Sequence, residues 1–360
     1  MSNTTPSRVG LNSKSTGDGN QALFLKKFSG EILTTFEEKN IMKPLHTIRT
    51  ISDGKSAQFP VTGVAAAQYH TVGESIASNG LTTAGGYLSD IAKSEKIISI
   101  DKVLLASSFL ANIDDVMNHY DIRSVYANEL GNALANRFDT AVLKTFIGAA
   151  RSAANLTAGN GGDRLDVGQD KFLSDASYVA GEDTDAAGDP TGAELITALF
   201  SSAQKLDEND VPSDGRFCVI RPEEYYKLIT GGASTGINVA NSALNADVGG
   251  QGSVAQGIIP QIAGINIFKS NHVPSTNLSG VATGDGAAVN DPFGAGNGYN
   301  GDFQNTLGIV GHSAAVGTVK LLDLATESEY QIERQGTLFV AKYAMGHGIL
   351  RPECAIELIK

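Results

Sequence analysis

The sequence is poor in the residues from which disulfide frameworks, metal centres and nucleic-acid-binding surfaces are built. Its 360 residues include two cysteines, Cys218 and Cys354, which do not have C-x-x-C spacing. A disulfide scaffold, a structural zinc and a redox pair are therefore not indicated, and a reducing compartment is expected. The formal net charge of −12 argues against a general nucleic-acid-binding surface, which needs dense lysine and arginine.

Long apolar runs are also missing. No stretch approaches the roughly 20 apolar residues of a membrane span, and residues 1–20 are polar, without the pattern of a signal peptide. We therefore expect that the protein does not associate with membranes and that it is synthesised in the cytoplasm. Charged residues make up 18% of the chain, below the roughly 25% of ordinary domains, and there are 41 glycines. Low charge is typical of surfaces that pack against other subunits, although a glycine-rich, loop-rich globular protein would have the same composition.

Two sequence patterns match catalytic motifs but lack the elements that such motifs require. Gly296, Gly298 and Gly301 match G-x-G-x-x-G, yet they lie in a glycine–asparagine loop with no strand before them and no helix after them. Ser234 lies in a G-x-S-x-G match that follows a predicted helix instead of a strand. No two of the six histidines are three to five residues apart, so no local H-x-x-x-H metal pair exists. We therefore predict no catalytic, cofactor-binding or metal site and no enzymatic activity. An α/β hydrolase using Ser234 is the less favoured alternative.

The longest helical pattern covers residues 113–151 and contains no proline. Apolar residues recur there at i, i+3 and i+4 spacing, which predicts one long helix, here called the spine helix. Asp121 is its predicted N-cap, with Asp114 and Asn118 as earlier alternatives. The pattern repeats every eight residues, and eight steps of about 100° overshoot two turns by roughly 80°, so the apolar stripe winds around the helix. Several layers must therefore cover it. The predicted core residues are Ile122, Tyr126, Leu130, Leu134, Phe138 and Val142.

Residues 48–100 predict two long strands joined by a turn-rich tip. Residues 48–69 are β-rich, and KSEKIISIDKVLL predicts one returning strand on which Ile98 and Ile100 share a face. The sequence contains no obvious apolar layer to cover this ribbon, and an isolated two-stranded ribbon is only marginally stable in water. We therefore expect the ribbon to lie over another surface. Before it, residues 22–40 predict a short amphipathic helix that is broken or bent at Gly30.

The chain after the spine helix predicts mixed α and β structure. Residues 158–190 are polar and acidic and predict a solvated surface loop, with a short element around Phe172 and Tyr178. The helices AELITALFSSAQKLDEN and PEEYYKLI flank a short buried strand, RFCVI, on which Cys218 is predicted to be an inert core thiol. Further strands are predicted at INIFKS, TLGIVGHSAAVGTVKL, ESEYQIERQG, TLFVAKYAMGHG and ECAIELIK.

Five stretches carry a family resemblance over nearly the whole chain. They are ALFLKKFSGEILTTF, ISDGKSAQFPVTG, DVMNHYDIRSVYANELGNALA, HSAAVGTVKLLDLA and AKYAMGHGILRPECA, the last being the most specific. With them the chain resembles the major capsid proteins of T7-like short-tailed bacteriophages (podoviruses), which have the HK97-type fold. Residues 163–189 and 230–303 depart from this resemblance.

The resemblance implies an α+β protein with the HK97-type capsid fold. The implied segments are an N-terminal arm (1–51), an extended β-ribbon called the E-loop (52–100), a peripheral domain with the spine helix (101–162), an acidic surface insertion (163–189), an axial α/β domain (190–308), return strands of the peripheral domain (309–350) and a closing strand (351–360). In such shells the E-loop lies across the neighbouring subunit, which would cover the ribbon.

The function implied by the resemblance is mechanical. The chain would be a major capsid protein that assembles into hexamers and pentamers of an icosahedral shell around double-stranded DNA, without sequence-specific DNA binding, cofactor or membrane. Its partners would be copies of itself, a scaffolding protein during assembly and a portal protein at one vertex. It would be made in the cytoplasm of the bacterial host and reside in the virion capsid. Another virion structural protein, of the tail or a decoration, is the main alternative.

Two groups of residues are candidates for contacts in such a shell. For intersubunit contacts of the E-loop we predict Lys55, Phe59, Tyr69, Glu74, Asn79 and Tyr87. For a basic inner face towards DNA we predict Lys26, Lys27 and Arg49, with Lys55 as a further cation, although ordinary surface charge is an equally good interpretation. The sequence gives no specific signal for a lysine–asparagine crosslink, so non-covalent contacts are expected.

Overall fold

The fold was analysed in a computed structural model, which describes most of the chain from residue 41 onward. The described residues are 41–63, 65, 67, 69–70, 72–73, 91–100, 103–113, 122–155, 159–173, 189–230, 261–278, 299 and 301–360. The helices are α1 (Ile122–Ala150), α2 (Gly192–Glu208) and α3 (Pro222–Thr230), and short 3-10 turns cover Lys43–Leu45, Ile332–Arg334 and Pro352–Cys354. The early strands are β1 (Thr47–Thr50), β2 (Ser56–Thr62), β3 (Lys93–Ser99), β4 (Leu104–Ala111), β5 (Asp163–Asp166) and β6 (Lys171–Leu173). The later strands are β7 (Arg216–Ile220), β8 (Gln261–Ile262), β9 (Ile265–Lys269), β10 (Thr306–His312), β11 (Val316–Gln331), β12 (Gly336–Ile349) and β13 (Ala355–Ile359).

The predicted spine helix is confirmed as α1, a helix of 29 residues. Asn112 and Ile113 are also helical, whereas the proposed N-caps lie outside the described residues. Every residue of α1 from 141 to 147 is buried, so the C-terminal half of the helix is covered on all sides. Strands β4 and β12 of one sheet and β10 and β13 of another pack against it. The winding apolar stripe is therefore covered by several layers, as predicted.

The smaller of the two main sheets has the strand order β1-β11-β12-β4. Strands β11 and β12 form a long antiparallel hairpin, β4 pairs with the outer edge of β12, and β1 runs parallel to β11. This sheet lies against one side of α1. The strand predicted at TLFVAKYAMGHG is confirmed as part of β12. Of ESEYQIERQG only the first five residues belong to β11, because the chain then turns in the 3-10 turn Ile332–Arg334.

The larger sheet has the order β6-β5-β13-β10-β7-β9-β8 and carries the α/β part of the protein. All five residues of β7 and all five of β13 are buried. The helices predicted on either side of RFCVI are confirmed as α2 and α3. Thr191 caps α2 with a capping box, since its side chain accepts from the N–H of Glu194 while the Glu194 carboxylate accepts from the backbone N–H of Thr191. Pro222 opens α3.

One prediction about the acidic insertion is wrong. Residues 163–173, expected to be a solvated loop, form β5 and β6, and Leu165 is completely buried. The four residues of β5 include only one apolar side chain, which is why the pattern predicts a loop. The strand is stable inside the protein because it runs parallel to β13 and because the charge of Arg164 is paired with Glu357 of that strand. The short element expected around Phe172 is β6.

The larger sheet also combines strands from segments that the resemblance assigns to different parts of the fold. Strand β10, which spans the boundary at residue 308, lies between β13 and β7 in the larger sheet and not with the return strands β11 and β12. The closing strand β13 belongs to the same sheet. A run of buried apolar residues identifies a central strand but not the sheet that it joins. The division into arm, E-loop, peripheral and axial domains stays a prediction.

The ribbon differs from its prediction in length and in cover. The segment KSEKIISIDKVLL forms two strands, because β3 pairs with β2 in the ribbon whereas β4 pairs with β12 in the smaller sheet. At the base of the ribbon Ile98 and Ile100 are buried on one face, as predicted, and they cluster with Val319, Ala344 and Leu350 of the same chain. The expectation that the sequence contains no cover for the ribbon is therefore wrong for its base.

Two glycines of β12 allow this close contact. A Cβ at Gly346 would overlap the carbonyl oxygen of Ser99, and a Cβ at Gly348 would lie 2.6 Å from Cγ1 of Ile98. The ribbon can therefore rest directly on the backbone of β12. The glycines in AMGHG, part of the most specific stretch of the resemblance, have a packing role that the sequence pattern does not indicate.

Candidate functional site

The described ranges contain no candidate metal site and no candidate membrane span. No group of three or more histidine, cysteine, aspartate or glutamate residues there could hold a metal ion, and no helix there is long and apolar enough to cross a membrane. Cys218 is buried, as predicted, and burial raises the pKa of its thiol far above the ordinary value. Burial likewise raises the pKa of Cys354 to about 11. Both cysteines are therefore protonated at neutral pH and poorly nucleophilic. Ser234, Gly296 and Gly298 lie outside the described residues.

The ribbon formed by β2 and β3 has two different faces. Residue pairs such as Ala57 with Ile98 point towards the body of the subunit, and the next pair along the ladder, Gln58 with Ile97, points away from it. Ile98 is 3% exposed whereas Ile97 is 56% exposed. The outer face of the ribbon therefore presents a large apolar side chain to solvent, and its inner face is covered at the base.

A groove separates the outer half of the ribbon from the body. It has a volume of about 740 Å³, and its ribbon wall is formed by Phe59, Pro60, Val61, Thr62, Gly63 and Ala92. The opposite wall combines the polar or charged residues Asn155, Asn160, Asn209, Asp210, Arg351 and Glu353 with Ala314 and Leu350. The ribbon is thus attached at its base and stands away from its own subunit beyond Phe59.

The predicted ribbon residues are spread along this element and do not form one cluster. Lys55 is exposed at the base, where its carbonyl oxygen accepts a hydrogen bond from the N–H of Ile100 at 2.7 Å. Phe59 is partly buried, and Tyr69 is fully exposed, with a relative accessibility of 102%. The predicted residues Glu74, Asn79 and Tyr87 lie outside the described residues.

Of the predicted inner-face cations, the structure describes Arg49 and Lys55, and Arg49 contacts the ribbon through its side chain. Its guanidinium donates a hydrogen bond to the carbonyl oxygen of Gln58 at 2.9 Å and lies 5.5 Å from the centre of the Phe59 ring. Arg49 therefore braces the base of the ribbon from β1. Its orientation towards DNA stays a prediction. Lys26 and Lys27 lie outside the described residues.

The predicted core of the spine helix is borne out where side chains are described. Leu134, Phe138 and Val142 are buried, with exposures of 2%, 6% and 0%, and Leu130 is partly buried. The backbone of Ile122 and Tyr126 belongs to α1, but their side chains lie outside the described part.

Sequence reasoning missed a buried ionic network around Glu357 of β13. This carboxylate is fully buried and accepts two hydrogen bonds from Arg151, at 2.6 and 2.7 Å, in a bidentate pair. Arg164 donates to the same carboxylate at 3.1 Å, and the hydroxyl of Thr306 donates at 2.6 Å. The network joins the end of α1 to β5, β10 and β13. A lone glutamate inside the apolar run AIELI is the sequence signal that could have indicated it.

A second missed residue is Asp139, a buried carboxylate on the spine helix. It accepts hydrogen bonds from the backbone N–H groups of Ile41 and Met42 at 3.1 and 3.2 Å. On its other side Nδ1 of His272, in the loop after β9, lies 3.1 Å away. One carboxylate thus connects the start of the described chain, the spine helix and the larger sheet. An aspartate next to Phe138 on a buried helix face is the signal that was available.

Two further histidines pack on either side of Phe138. The ring centre of His46 lies 5.7 Å from that of Phe138, and the ring centre of His347 lies 5.3 Å from it. Burial lowers the pKa of His46. Burial of the His347 ring, with a smaller contribution from nearby His46, lowers its pKa to about 3. Nδ1 of His347 is 2.8 Å from the hydroxyl of Thr318. Both rings are therefore neutral at physiological pH.

Comparison with known proteins assigns this architecture to virus shells. Residues 58–359 match the model of the family described as "Gp10A-like: Major capsid protein". The chain is 34% identical to the major capsid protein of Escherichia phage T7 over 338 residues, which are 93% of this chain and 90% of that protein. It is also 34% identical to the major capsid protein of Enterobacteria phage T3 over 340 residues, covering 94% of this chain and 91% of the relative.

Solved structures agree with these relatives. A chain from the capsid structure of the cyanophage P-SCSP1u superposes with a TM-score of 0.70 at 40% identity, over 99% of both chains. A chain from the mature capsid of bacteriophage PhiM1 superposes with a TM-score of 0.66 over 99% of this chain and 98% of that chain. At 18% identity the second comparison shows the fold alone.

Proposed function

Because the chain belongs to the major capsid protein family of T7-like bacteriophages, we propose that it assembles as hexamers and pentamers into an icosahedral shell around double-stranded DNA. The HK97-type α+β fold, shared with phage capsid proteins, gives it a structural role. The single observation that carries the proposal beyond family membership is the ribbon, which is anchored at its base and stands free of its own subunit beyond Phe59.

A free-standing ribbon of two strands needs a second surface. Beyond its base the inner face borders a groove, and Ile97 on the outer face is mostly exposed. Since a two-stranded ribbon alone is marginally stable in water, cover from a neighbouring copy of the chain would complete its packing. We place the intersubunit contacts of the E-loop on this part of the chain, with Lys55, Phe59, Tyr69, Glu74, Asn79 and Tyr87 as the proposed contact residues.

The remaining features of the proposal follow from a shell held together by many moderate contacts. The subunit carries no enzymatic activity, and stability of the assembled particle comes from large repeated interfaces. DNA is enclosed without sequence-specific binding, which fits the net charge of −12. The proposed partners are a scaffolding protein during assembly and a portal protein at one vertex. The chain would be made in the host cytoplasm and end in the virion capsid. A tail or decoration protein and a hydrolase are not favoured.

Assembly can be tested by co-expressing the chain with the scaffolding protein of its own phage and imaging the product by electron microscopy. We expect closed icosahedral particles. A fully dispersed monomer under these conditions would contradict the proposal.

The ribbon's role can be tested by replacing residues 79–86 with a shorter linker. We expect a subunit with unchanged circular dichroism and unfolding midpoint that assembles poorly, because the deleted residues contribute to contacts between subunits and not to the core. Normal particle yield from this variant would show that the tip has no intersubunit role.

A further inference from the structure

Residues 41–46 lead into β1, and they are fixed by one contact to the spine helix and by a second contact within the segment. At one end the carboxylate of Asp139 accepts hydrogen bonds from the backbone N–H groups of Ile41 and Met42. At the other end Nδ1 of His46 lies 2.6 Å from the carbonyl oxygen of Met42, which closes the 3-10 turn Lys43–Leu45 between them. The segment is therefore held by a carboxylate at its start and by an imidazole at its end.

The contact at the start does not depend on the charge of a histidine. Asp139 also accepts from Nδ1 of His272 at 3.1 Å. An imidazole can donate from Nδ1 both as the neutral tautomer and as the imidazolium ion. The donor to Asp139 is therefore the same in both protonation states of that ring.

The contact at the end does depend on protonation. Because Nδ1 of His46 donates to a carbonyl oxygen, its Nε2 is the unprotonated nitrogen. That atom is buried and has no hydrogen-bond partner among the described residues. A proton on Nε2 would place a charge and an unpaired N–H group inside the packed region beside Phe138. The neutral ring is therefore the one that fits the closed turn.

Groups on the neighbouring elements act on His46 in opposite directions. Burial has the largest influence and lowers the pKa of His46, whereas the hydrogen bond to the carbonyl oxygen of Met42 and the charge of Asp139 favour the charged imidazole and partly oppose it. His347 of β12, whose ring also packs on Phe138, stays neutral in mild acid because its pKa is lowered to about 3, so it adds no charge beside His46. Nδ1 of His272 faces the same carboxylate, and the ring of Tyr343 packs on Phe138.

We propose that His46 is a proton-operated latch that closes the turn Lys43–Leu45 on the spine helix at neutral pH and opens it in mild acid. In the open state His46 leaves its packed position and binds a proton with the ordinary pKa of about 6.5. Ile41 and Met42 stay on Asp139, so acid frees only the stretch between this anchor and β1. The device regulates how firmly the stretch between this anchor and β1 is held against the spine helix, and it is independent of particle formation.

The latch can be tested by hydrogen exchange of the full-length chain at pH 7.5 and pH 5.5, corrected for intrinsic exchange. The reporter is the amide of Leu45, which donates to the carbonyl oxygen of Met42 at 3.0 Å. We expect its protection to fall by up to about tenfold per pH unit below the pKa of a free histidine. In His46→Gln, which cannot titrate, protection should be equal at the two pH values.

The matched control is His312→Gln. His312 also has a pKa lowered chiefly by burial, but it lies in β10 and contacts Asp214. This variant should keep the full pH response of Leu45. Equal protection of Leu45 at both pH values in the unmodified chain, or a full response in His46→Gln, would overturn the latch. If His46→Gln does not fold, the NMR titration of His46 decides: it must coincide with the loss of Leu45 protection, and separate midpoints refute the proposal.

Discussion

The larger sheet and the β2–β3 ribbon differ in how much of their surface is buried within the chain itself. In the larger sheet β7 and β13 are buried along their whole length, and even the charge of Glu357 is satisfied inside by Arg151 and Arg164. In the ribbon burial alternates strictly at the base, so that Ile98 is buried while its neighbour Ile97 is exposed. The interactions of the sheet are complete within one chain, whereas those of the ribbon need a second surface. Folding of the subunit and assembly of subunits should therefore be separable by mutation.

The largest expected effect is in the larger sheet. Glu357→Ala leaves Arg151 and Arg164 without their buried carboxylate, which should lower the free energy of unfolding by about 3–5 kcal/mol. Urea unfolding followed by circular dichroism measures this. The control is Glu353→Gln, which removes a more exposed pair with Arg351 and should cost less than about 1 kcal/mol. Equal losses of unfolding free energy in the two variants would mean that the ionic network around Glu357 makes no special contribution to the stability of the larger sheet.

The next effect concerns the seat of the ribbon on β12. Gly346→Ala forces a methyl group against the backbone of Ser99 and Ile100, and such overpacking costs about 1–3 kcal/mol. Because the strain falls between ribbon and sheet, limited proteolysis should cut the ribbon faster while the larger sheet keeps its protection. The control is Gly131→Ala on α1, where a Cβ would meet nothing within 4 Å, and this change should stabilise the helix slightly. A loss of protection spread evenly over the chain would contradict the separation of the two regions.

A smaller change in the free energy of unfolding is expected per unit of pH, and it should arise on the side of the spine helix that faces β12. The pKa of His347 is lowered to about 3 in the folded chain, so between pH 6.5 and this value only the unfolded chain binds the proton. The free energy of unfolding should therefore decrease as pH falls below 6.5, by at most about 1.4 kcal/mol per pH unit. Chemical unfolding at a series of pH values measures the slope. His347→Gln should reduce it, and an unchanged slope would assign the pH dependence to other groups.

A substitution on the outer face of the ribbon should have the smallest effect on the stability of the subunit and the largest effect on assembly. Ile97→Asp should change the unfolding free energy of the isolated subunit by less than about 0.5 kcal/mol, because the side chain is mostly exposed. Particle yield with scaffolding protein should fall strongly, since a charge would be buried between subunits. Ile97→Thr keeps the β-branched shape and should assemble nearly normally. Full assembly of Ile97→Asp would place the outer face outside every interface.

The same two regions differ in how far the sequence predicts them. Helices α1, α2 and α3 and strand β7 follow from local periodicity, proline position and capping residues, all of which act over a few neighbouring positions. Strand β5 does not, because Arg164 is acceptable inside the sheet only through Glu357, 193 residues away. The anchoring role of Asp139 is likewise set by partners 97 and 133 residues away. Long-range charge pairing leaves no periodic pattern to read.

The ribbon shows a different limit to what can be predicted from the sequence. Its alternation predicts which residues share a face, and Ile98 and Ile100 are buried together as expected. The surface that receives them depends on side chains that are absent from Gly346 and Gly348. Glycine in a strand pattern indicates a bulge or a close backbone approach, but the sequence does not say which segment approaches. The base of the ribbon therefore looks uncovered until the fold is known.

The position of β13 sets the order in which the chain can be completed. This strand is the last of its sheet to be synthesised, yet it lies between β5 and β10 and supplies the carboxylate that neutralises two arginines. Until it arrives from the ribosome, β5 and β6 have no strand joining them to the rest of the sheet, and Arg151 and Arg164 have no Glu357. Such late, long-range pairing makes folding slow compared with local helix formation. The larger sheet can therefore be completed only after translation has reached β13. Before that point the sheet is open, and we expect that the chain cannot yet join a growing shell.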